Sequence, residues 1–224
     1  MPMLSTLELH PAEPATASLI VLHGLGADGS DFLPVCHALD FRRTGAVRCV
    51  LPNAAPRPVT LNGGHRMPAW YDLYAADIGG DRPEDEAGLR QSITDVHALI
   101  DREIARGVPA HRIVLAGFSQ GCAMTLLAGL RHPQRLAGLA GLSGYLPLAA
   151  TTAAERSAVN ADLPVFLAHG QNDEVVVPAR GEAARDALLA LGQPVDWHTW
   201  PMGHAVCQPE IDALQAWLDR VLAV

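Results

Sequence analysis

Short apolar runs recur along the chain, at residues 18–22, 47–51, 112–116, 136–142, 164–168 and 195–200. Most are continuous rather than alternating. A strand that is apolar on both faces must be covered on both, as in a parallel sheet flanked by helices. Between the runs the period lengthens from two to about 3.6. Residues 84–106 place Leu89, Ile93, Val96, Ile100 and Ile104 on one face, which predicts a long amphipathic helix. Residues 180–191 and 209–222 predict two more, the last opening at Pro209 with Ile211, Leu214, Trp217, Leu218 and Val221 turned inward. Residues 6–9 predict an additional edge strand. Strand then helix, repeated, is the pattern of a doubly wound α/β sheet. No repeat, low-complexity tract or linker divides it, so one domain over residues 1–224 is expected.

The exception to the alternation is 52–80, rich in Pro and Gly yet carrying Leu61, Met67, Trp70, Tyr71 and Leu73. A stretch that long is rarely a bare connection. Its apolar side chains need something to cover, and they also raise the expectation of self-association into a homodimer.

Composition narrows the chemistry. With 49% hydrophobic and 18% charged residues over 224 positions, the chain is neither a disordered polymer nor a coiled coil. Lys+Arg total 16 against 24 Asp+Glu, a net charge of -8, so a nucleic-acid partner is not expected. All the basic residues are Arg. That removes Schiff-base chemistry and the lysine of a P-loop. Cys36, Cys49, Cys122 and Cys207 form no Cys-x-x-Cys pair and are too few for a disulfide scaffold, so they read as small buried hydrophobes. No His-Glu-x-x-His or His/Cys cluster has ligand spacing, and no metal is expected. The charge-free stretches 113–130 and 136–154 are broken by Gly, Ser and Pro. They suit a protein interior better than a bilayer, and with no signal-like N-terminus a cytoplasmic protein without a membrane segment is expected.

The sharpest motif is Gly117-Phe118-Ser119-Gln120-Gly121, directly after the strand 112–116 and directly before a helical run at 122–130. A strand turning into a helix within one or two residues forces the central residue into strained angles, and flanking glycines remove side chains that would collide. Such a turn lifts the Ser119 hydroxyl clear of the sheet, at the positive end of a helix. A second serine, in Gly141-Leu142-Ser143-Gly144-Tyr145, also ends a strand but lacks a glycine two residues on. It reads as an ordinary turn.

A serine nucleophile needs a base, and the base needs an orienting carboxylate. With the chain order Ser, acid, His, the acid should follow the strand 164–168, where Asp173 stands beside its rival Glu174. The base should follow the last strand, where Gly203 precedes His204. The other histidines, His23, His65, His97, His111, His132, His169 and His198 among them, have no better claim.

Gly24, Gly26 and Gly29 follow the strand 18–22 and match the dinucleotide fingerprint Gly-x-Gly-x-x-Gly, which keeps an NAD-dependent oxidoreductase as an alternative. The ribose-binding acid is missing, because no Asp or Glu lies between Asp40 and Asp72. The competing interpretation gives these glycines to an oxyanion hole made by the amides of Leu25 and Gln120. A non-catalytic α/β binding protein that keeps the elbow as scaffold is a further alternative.

His23-Gly24-Leu25-Gly26, Leu51-Pro52-Asn53-Ala54, Arg57-Pro58-Val59-Thr60, Met67-Pro68-Ala69-Trp70-Tyr71-Asp72, the serine motif, Leu146-Pro147-Leu148, Asp173 and Gly203-His204 occur in that order. In this the chain resembles the carboxylesterase/acyl-protein thioesterase (phospholipase/carboxylesterase) family of α/β hydrolases, bacterial type, over nearly its whole length. The resemblance implies an α/β-hydrolase fold without a separate cap domain. It also implies a cofactor-free serine esterase acting on short- to medium-chain acyl esters or thioesters. Matched by position, Ser119, Asp173 and His204 correspond to the family's triad, and Leu25 and Gln120 to its oxyanion donors. Leu61, Met67, Trp70, Leu73 and Tyr145 become candidate substrate-binding residues, Tyr145 standing where the family's thioesterases carry Trp.

Overall fold

The computed structural model describes residues 3–74 and 83–223. The end of the 52–80 stretch, with Gly79 and Gly80, lies outside the described residues. In chain order the elements are β1 (Thr6–Leu9), β2 (Ala17–Leu22), α1 (Leu33–Ala38), β3 (Val47–Pro52), β4 (Pro56–Val59), β5 (His65–Pro68), α2 (Glu86–Ala105), β6 (Ile113–Phe118) and α3 (Gln120–Arg131). There follow β7 (Gly138–Leu142), α4 (Ala149–Glu155), β8 (Val165–Gly170), α5 (Pro178–Ala190), β9 (Val195–Trp200) and α6 (Gln208–Val221).

Seven strands form one sheet in the order β1-β3-β2-β6-β7-β8-β9, parallel throughout except for β1, which runs antiparallel to β3 at the edge. Every residue of β2, β7 and β8 is buried, as continuous apolar runs require. Alternate residues feed two cores. Ile20, Leu22, Ile113 and Leu115 pack with Leu89, Val96 and Ile100 of α2 and with α3 on one face. Leu19, Val21, Val114 and Ala116 pack with Cys36 of α1 and with Leu214, Trp217 and Leu218 of α6 on the other. The chain moves outward from β2 to β3, then returns to place β6 on β2's other side. That reversal opens a crevice at the strand C-terminal ends, where α/β sheets bind ligands.

The predicted strands and the three long helices are present, with shifted ends. β6 runs on to Phe118, which pairs with Leu142. The run at 136–142 pairs regularly only from Gly138, because the Leu136 amide is taken by Asn160 Oδ1. The 52–80 stretch is more ordered than its composition suggests. β4 and β5 form an antiparallel hairpin, turned through a short 3₁₀ segment and Gly63 at φ 65°. Asp72 ties this hairpin down by accepting from Thr60 N at 2.7 Å and Thr60 Oγ1 at 2.6 Å. Among the described residues no helix is long and apolar enough to cross a membrane. The four cysteines are free thiols, three of them buried and Cys207 half-buried.

Candidate active site

Three strand ends converge. β6 stops at Phe118, Ser119 takes φ 56° and ψ −117°, and α3 starts at Gln120. A serine is rarely found with such angles, and two interactions hold it there: Ser119 N donates to Leu142 O, and Ser119 O accepts from Ala123 N. The flanking glycines are required by contact. A side chain at Gly117 would strike the backbone of Gly121 and lie 2.7 Å from Thr125 Oγ1, and one at Gly121 would enter the Leu22 and His23 carbonyls. α3 is therefore pressed against the end of β2, and its N-terminal amides open beside Ser119.

The loop after β2 covers the same corner. His23 is buried, accepts from Ala54 N at Nε2 and donates from Nδ1 to Gly24 O; burial lowers its pKa and keeps the ring neutral. A side chain on Gly24 would sit 3.5 Å from Ser119 Cβ, so this loop borders the serine directly. Gly26 has φ 76° and donates to Pro68 O. Among the described residues, neither the Leu25 nor the Gln120 amide finds an acceptor. Gly29 is demanded by packing instead, since a side chain there would enter the Leu51 carbonyl. The helix that follows the turn is only six residues long.

Asp173 lies on the loop after β8, fully buried. Its Oδ1 accepts from Val175 N and Val176 N, both at 2.9 Å. Its Oδ2 accepts from His204 Nδ1–H at 2.7 Å. A carboxylate only accepts, so this bond fixes the histidine tautomer and leaves Nε2 as the proton-accepting nitrogen. The two loops are laced by Gln171 N to Trp200 O and Asn172 N to Met202 O, and Gly170 has no side chain because the Met202 and Gly203 carbonyls occupy that space. His169 supports the acid loop by donating from Nε2 to Val176 O. Glu174, the rival acid, is exposed. The Phe118 ring packs 4.6 Å from the His204 ring. Ser119 Oγ and His204 Nε2 are not hydrogen-bonded to one another among the described residues, a looseness common before substrate binds.

The candidate acyl-site residues divide. Leu73 and Tyr145 line a cavity of 240 Å³ together with Tyr71, a residue quoted in the motif but not singled out for the site. Trp70 is 1% exposed. Its ring lies 5.4 Å from His23, its Nε1 donates to His23 O, and its backbone N donates to Gln120 Oε1, so it anchors the loop and does not line that cavity. Met67 accepts from Asn62 Nδ2 beside Gly26, and Leu61 is exposed. The Ser143 turn is not ordinary. Ser143 has φ 48° and a buried Oγ without a partner among the described residues. Glu210, which nothing in the sequence marked, is fully buried with both carboxyl oxygens unpartnered among the described residues, and burial pushes its pKa up to about 7. Cys122 is inert at neutral pH because burial pushes its thiol up to about 12. Among the described residues no group of three or more His, Cys, Asp or Glu is placed to hold a metal ion.

The phospholipase/carboxylesterase family model matches residues 9–222. An acyl-protein thioesterase 1 from Neurospora crassa is 41% identical over 214 residues, covering 92% of this chain and 87% of that one. One from Mycosarcoma maydis is 42% identical over 239 residues, covering 99% of each. The crystal structure of Zea mays acyl-protein thioesterase 2 superposes with a TM-score of 0.86 at 30% identity, over 98% of this chain and 99% of that one. These matches leave no place for the dinucleotide or non-catalytic alternatives. The chain belongs to the phospholipase/carboxylesterase family and is a serine hydrolase of the α/β-hydrolase fold.

Proposed function

We propose that this enzyme hydrolyses short- to medium-chain acyl esters or thioesters through Ser119, His204 and Asp173. The observation that carries the reading is the 2.7 Å bond from His204 Nδ1 to the buried Asp173, beside a serine held at φ 56° at the head of α3. His204 Nε2 takes the hydroxyl proton as Ser119 Oγ attacks the acyl carbonyl, and Asp173 stabilises the imidazolium that forms. The amides of Leu25 and Gln120 receive the developing oxyanion, contributing about 3 kcal/mol each in comparable sites. His204 returns the proton to the departing alcohol or thiol. Water, deprotonated by the same nitrogen, then releases the acid and restores Ser119. No cofactor enters any step. Relatives named acyl-protein thioesterase favour thioesters within the substrate range. We place the enzyme in the cytoplasm, as one domain that self-associates weakly, a homodimer at most.

Treatment with a fluorophosphonate followed by mass spectrometry is expected to locate the adduct on Ser119. Ser119→Ala should lose both the adduct and p-nitrophenyl ester turnover, by about 10³-fold or more. Retention of normal turnover by that variant ends the proposal.

A further inference from the structure

The Leu25 N–H is one edge of a peptide unit whose other edge is the Gly24 carbonyl. No cis peptide occurs among the described residues. In a planar trans peptide the C=O and N–H point in opposite directions, so fixing the oxygen aims the N–H. His23 fixes that oxygen. Its Nδ1 donates to Gly24 O at 2.6 Å, and its Nε2 accepts from Ala54 N at 3.0 Å. Both bonds need the neutral Nδ1–H tautomer, which burial of the ring maintains. A second set of bonds reaches the other amide. The Gln120 side chain spans two backbone groups, Oε1 accepting from Trp70 N and Nε2 donating to Tyr71 O, both at 2.8 Å. The Trp70 indole donates from Nε1 to His23 O at 2.9 Å, and Ser92 Oγ of α2 donates to Trp70 O. Gln120, Trp70 and His23 are each at most 2% exposed, so water does not compete for these bonds. Buried hydrogen bonds thus run from Gln120 through Trp70 and His23 to the Gly24–Leu25 peptide.

We propose that His23 and Trp70 are positioning residues, which aim the Leu25 amide and hold it at a fixed separation from the Gln120 amide. The inference rests on those two amides being the oxyanion donors for an acyl group on Ser119. Both side chains act through the backbone of the loop after β2. The Gln120 amide needs no such help, because its peptide oxygen, Ser119 O, already accepts from Ala123 N in the first turn of α3. The Leu25 peptide lies outside any helix or strand, between two glycines with wide backbone freedom. Without the bond to His23, the Gly24 oxygen is free to swing and the Leu25 N–H swings with it. A donor that must turn into place as the oxyanion forms stabilises it less than one already aimed.

The test compares the wild type with His23→Asn, His23→Gln and Trp70→Phe by p-nitrophenyl butanoate kinetics, fluorophosphonate labelling and thermal melts. Each histidine variant removes one of the two His23 bonds. Asparagine places an N–H near the Nδ1 position and still donates to Gly24 O. Glutamine reaches the Nε2 position and still accepts from Ala54 N, but leaves the Gly24 oxygen unbonded. His23→Gln should lower kcat by about tenfold or more with KM within about twofold, because the lost interaction acts in the transition state. His23→Asn, with a similar loss of melting temperature, should keep kcat within about threefold of the wild type. Trp70→Phe keeps the packing and drops the indole donor. It should lower kcat by about threefold or more, and it decides the matter if His23→Gln does not fold. Equal kcat losses in the two histidine variants, losses that follow melting temperature, or an unchanged kcat in Trp70→Phe overturn the positioning role. If wild-type Ser119 is labelled and butanoate is turned over, such a result removes that role alone. A wild type neither labelled nor active takes the proposed mechanism down with it.

Discussion

β6 and β7 are neighbouring parallel strands, paired from Val114↔Gly138 to Phe118↔Leu142, and each gives way to a serine with positive φ. Ser119 has φ 56° and Ser143 has φ 48°. From there the two regions part. After Ser119 the chain enters α3 at once, and the residue stays half-buried at the mouth of the crevice. After Ser143 it runs on through Gly144 and Tyr145. The Ser143 amide donates to Ala168 O and the whole residue is buried. The space that side chains on Gly141 and Gly144 would need is filled by Cys122 of α3. Left-handed backbone therefore marks where a packed parallel strand must turn sharply, and it says nothing by itself about chemistry. In the proposed mechanism the helix N-terminus, the His204 imidazole and the partial exposure suit one such serine to catalysis. The other makes room for the first one's helix.

One substitution made at both serines should separate them most strongly. Ser119→Gly should remove ester turnover by about 10³-fold or more, because the oxygen proposed as the nucleophile is gone. Ser143→Gly should keep turnover close to the wild-type rate. Glycine accepts positive φ without steric cost, so its melting temperature should hold or rise by a few degrees, corresponding to about 1 kcal/mol. Ester kinetics and calorimetry on the two proteins check both halves. A Ser143→Gly enzyme as inactive as Ser119→Gly would mean that the second turn also takes part in the chemistry.

The same comparison separates what the sequence discloses from what it hides. The elbow is legible because three needs coincide in five residues: a strand end, two glycines forced by backbone contacts, and a helix start. The pairing of Asp173 with His204, bonded at 2.7 Å, is reachable from chain order, since each follows a later parallel strand. The strain at Ser143 is not legible because the serine lacks a glycine two residues on, and the close approach of Cys122 on α3 to Gly141 and Gly144 is long-range packing that no local window contains. The hairpin in 52–80 hides for a related reason. Its strands contain Pro56, Pro58 and Pro68, which argue against pairing, and the clamp from Asp72 to Thr60 spans the hairpin. Trp70 resembles a pocket aromatic until its indole N–H is seen bound to the His23 carbonyl. Glu210 is hidden because a glutamate in the first turn of a helix ordinarily faces water.

The glycines of the two turns differ in what they meet. Gly121 meets the backbone carbonyls of Leu22 and His23, which do not yield, whereas Gly141 meets the ends of the Cys122 and Leu167 side chains at 2.7 and 2.9 Å. Gly121→Ala should cost about 3 kcal/mol or more and displace α3, lowering activity along with stability. Gly141→Ala should cost about 1–2 kcal/mol and leave the elbow in place. Urea titrations of both variants measure the difference. Equal losses would show that the two turns are equally rigid.

Glu210 gives the smallest and most conditional effect, and it belongs to the buried side of the comparison. It lies close enough to Cys122 to help raise that thiol's pKa, and its own carboxyl moves from an ordinary 4.5 up to about 7 because burial disfavours the charged form. A carboxyl whose folded pKa exceeds its unfolded one favours the folded state while both forms are protonated. That contribution is fully present below about pH 4.5 and is lost as pH rises to about 7. Glu210→Gln keeps the shape and removes the titration. Relative to wild type, the variant should gain stability progressively from pH 5 to pH 8, by no more than about 3 kcal/mol, and the gain should level off above pH 7. Denaturation midpoints of the two proteins across that range measure the divergence, while the pH profile of ester hydrolysis, governed from the Ser119 side, should stay the same in both. Parallel stability curves would show that Glu210 titrates as an ordinary solvated carboxylate, and a shifted pH–rate profile would show that the buried side reaches the chemistry after all.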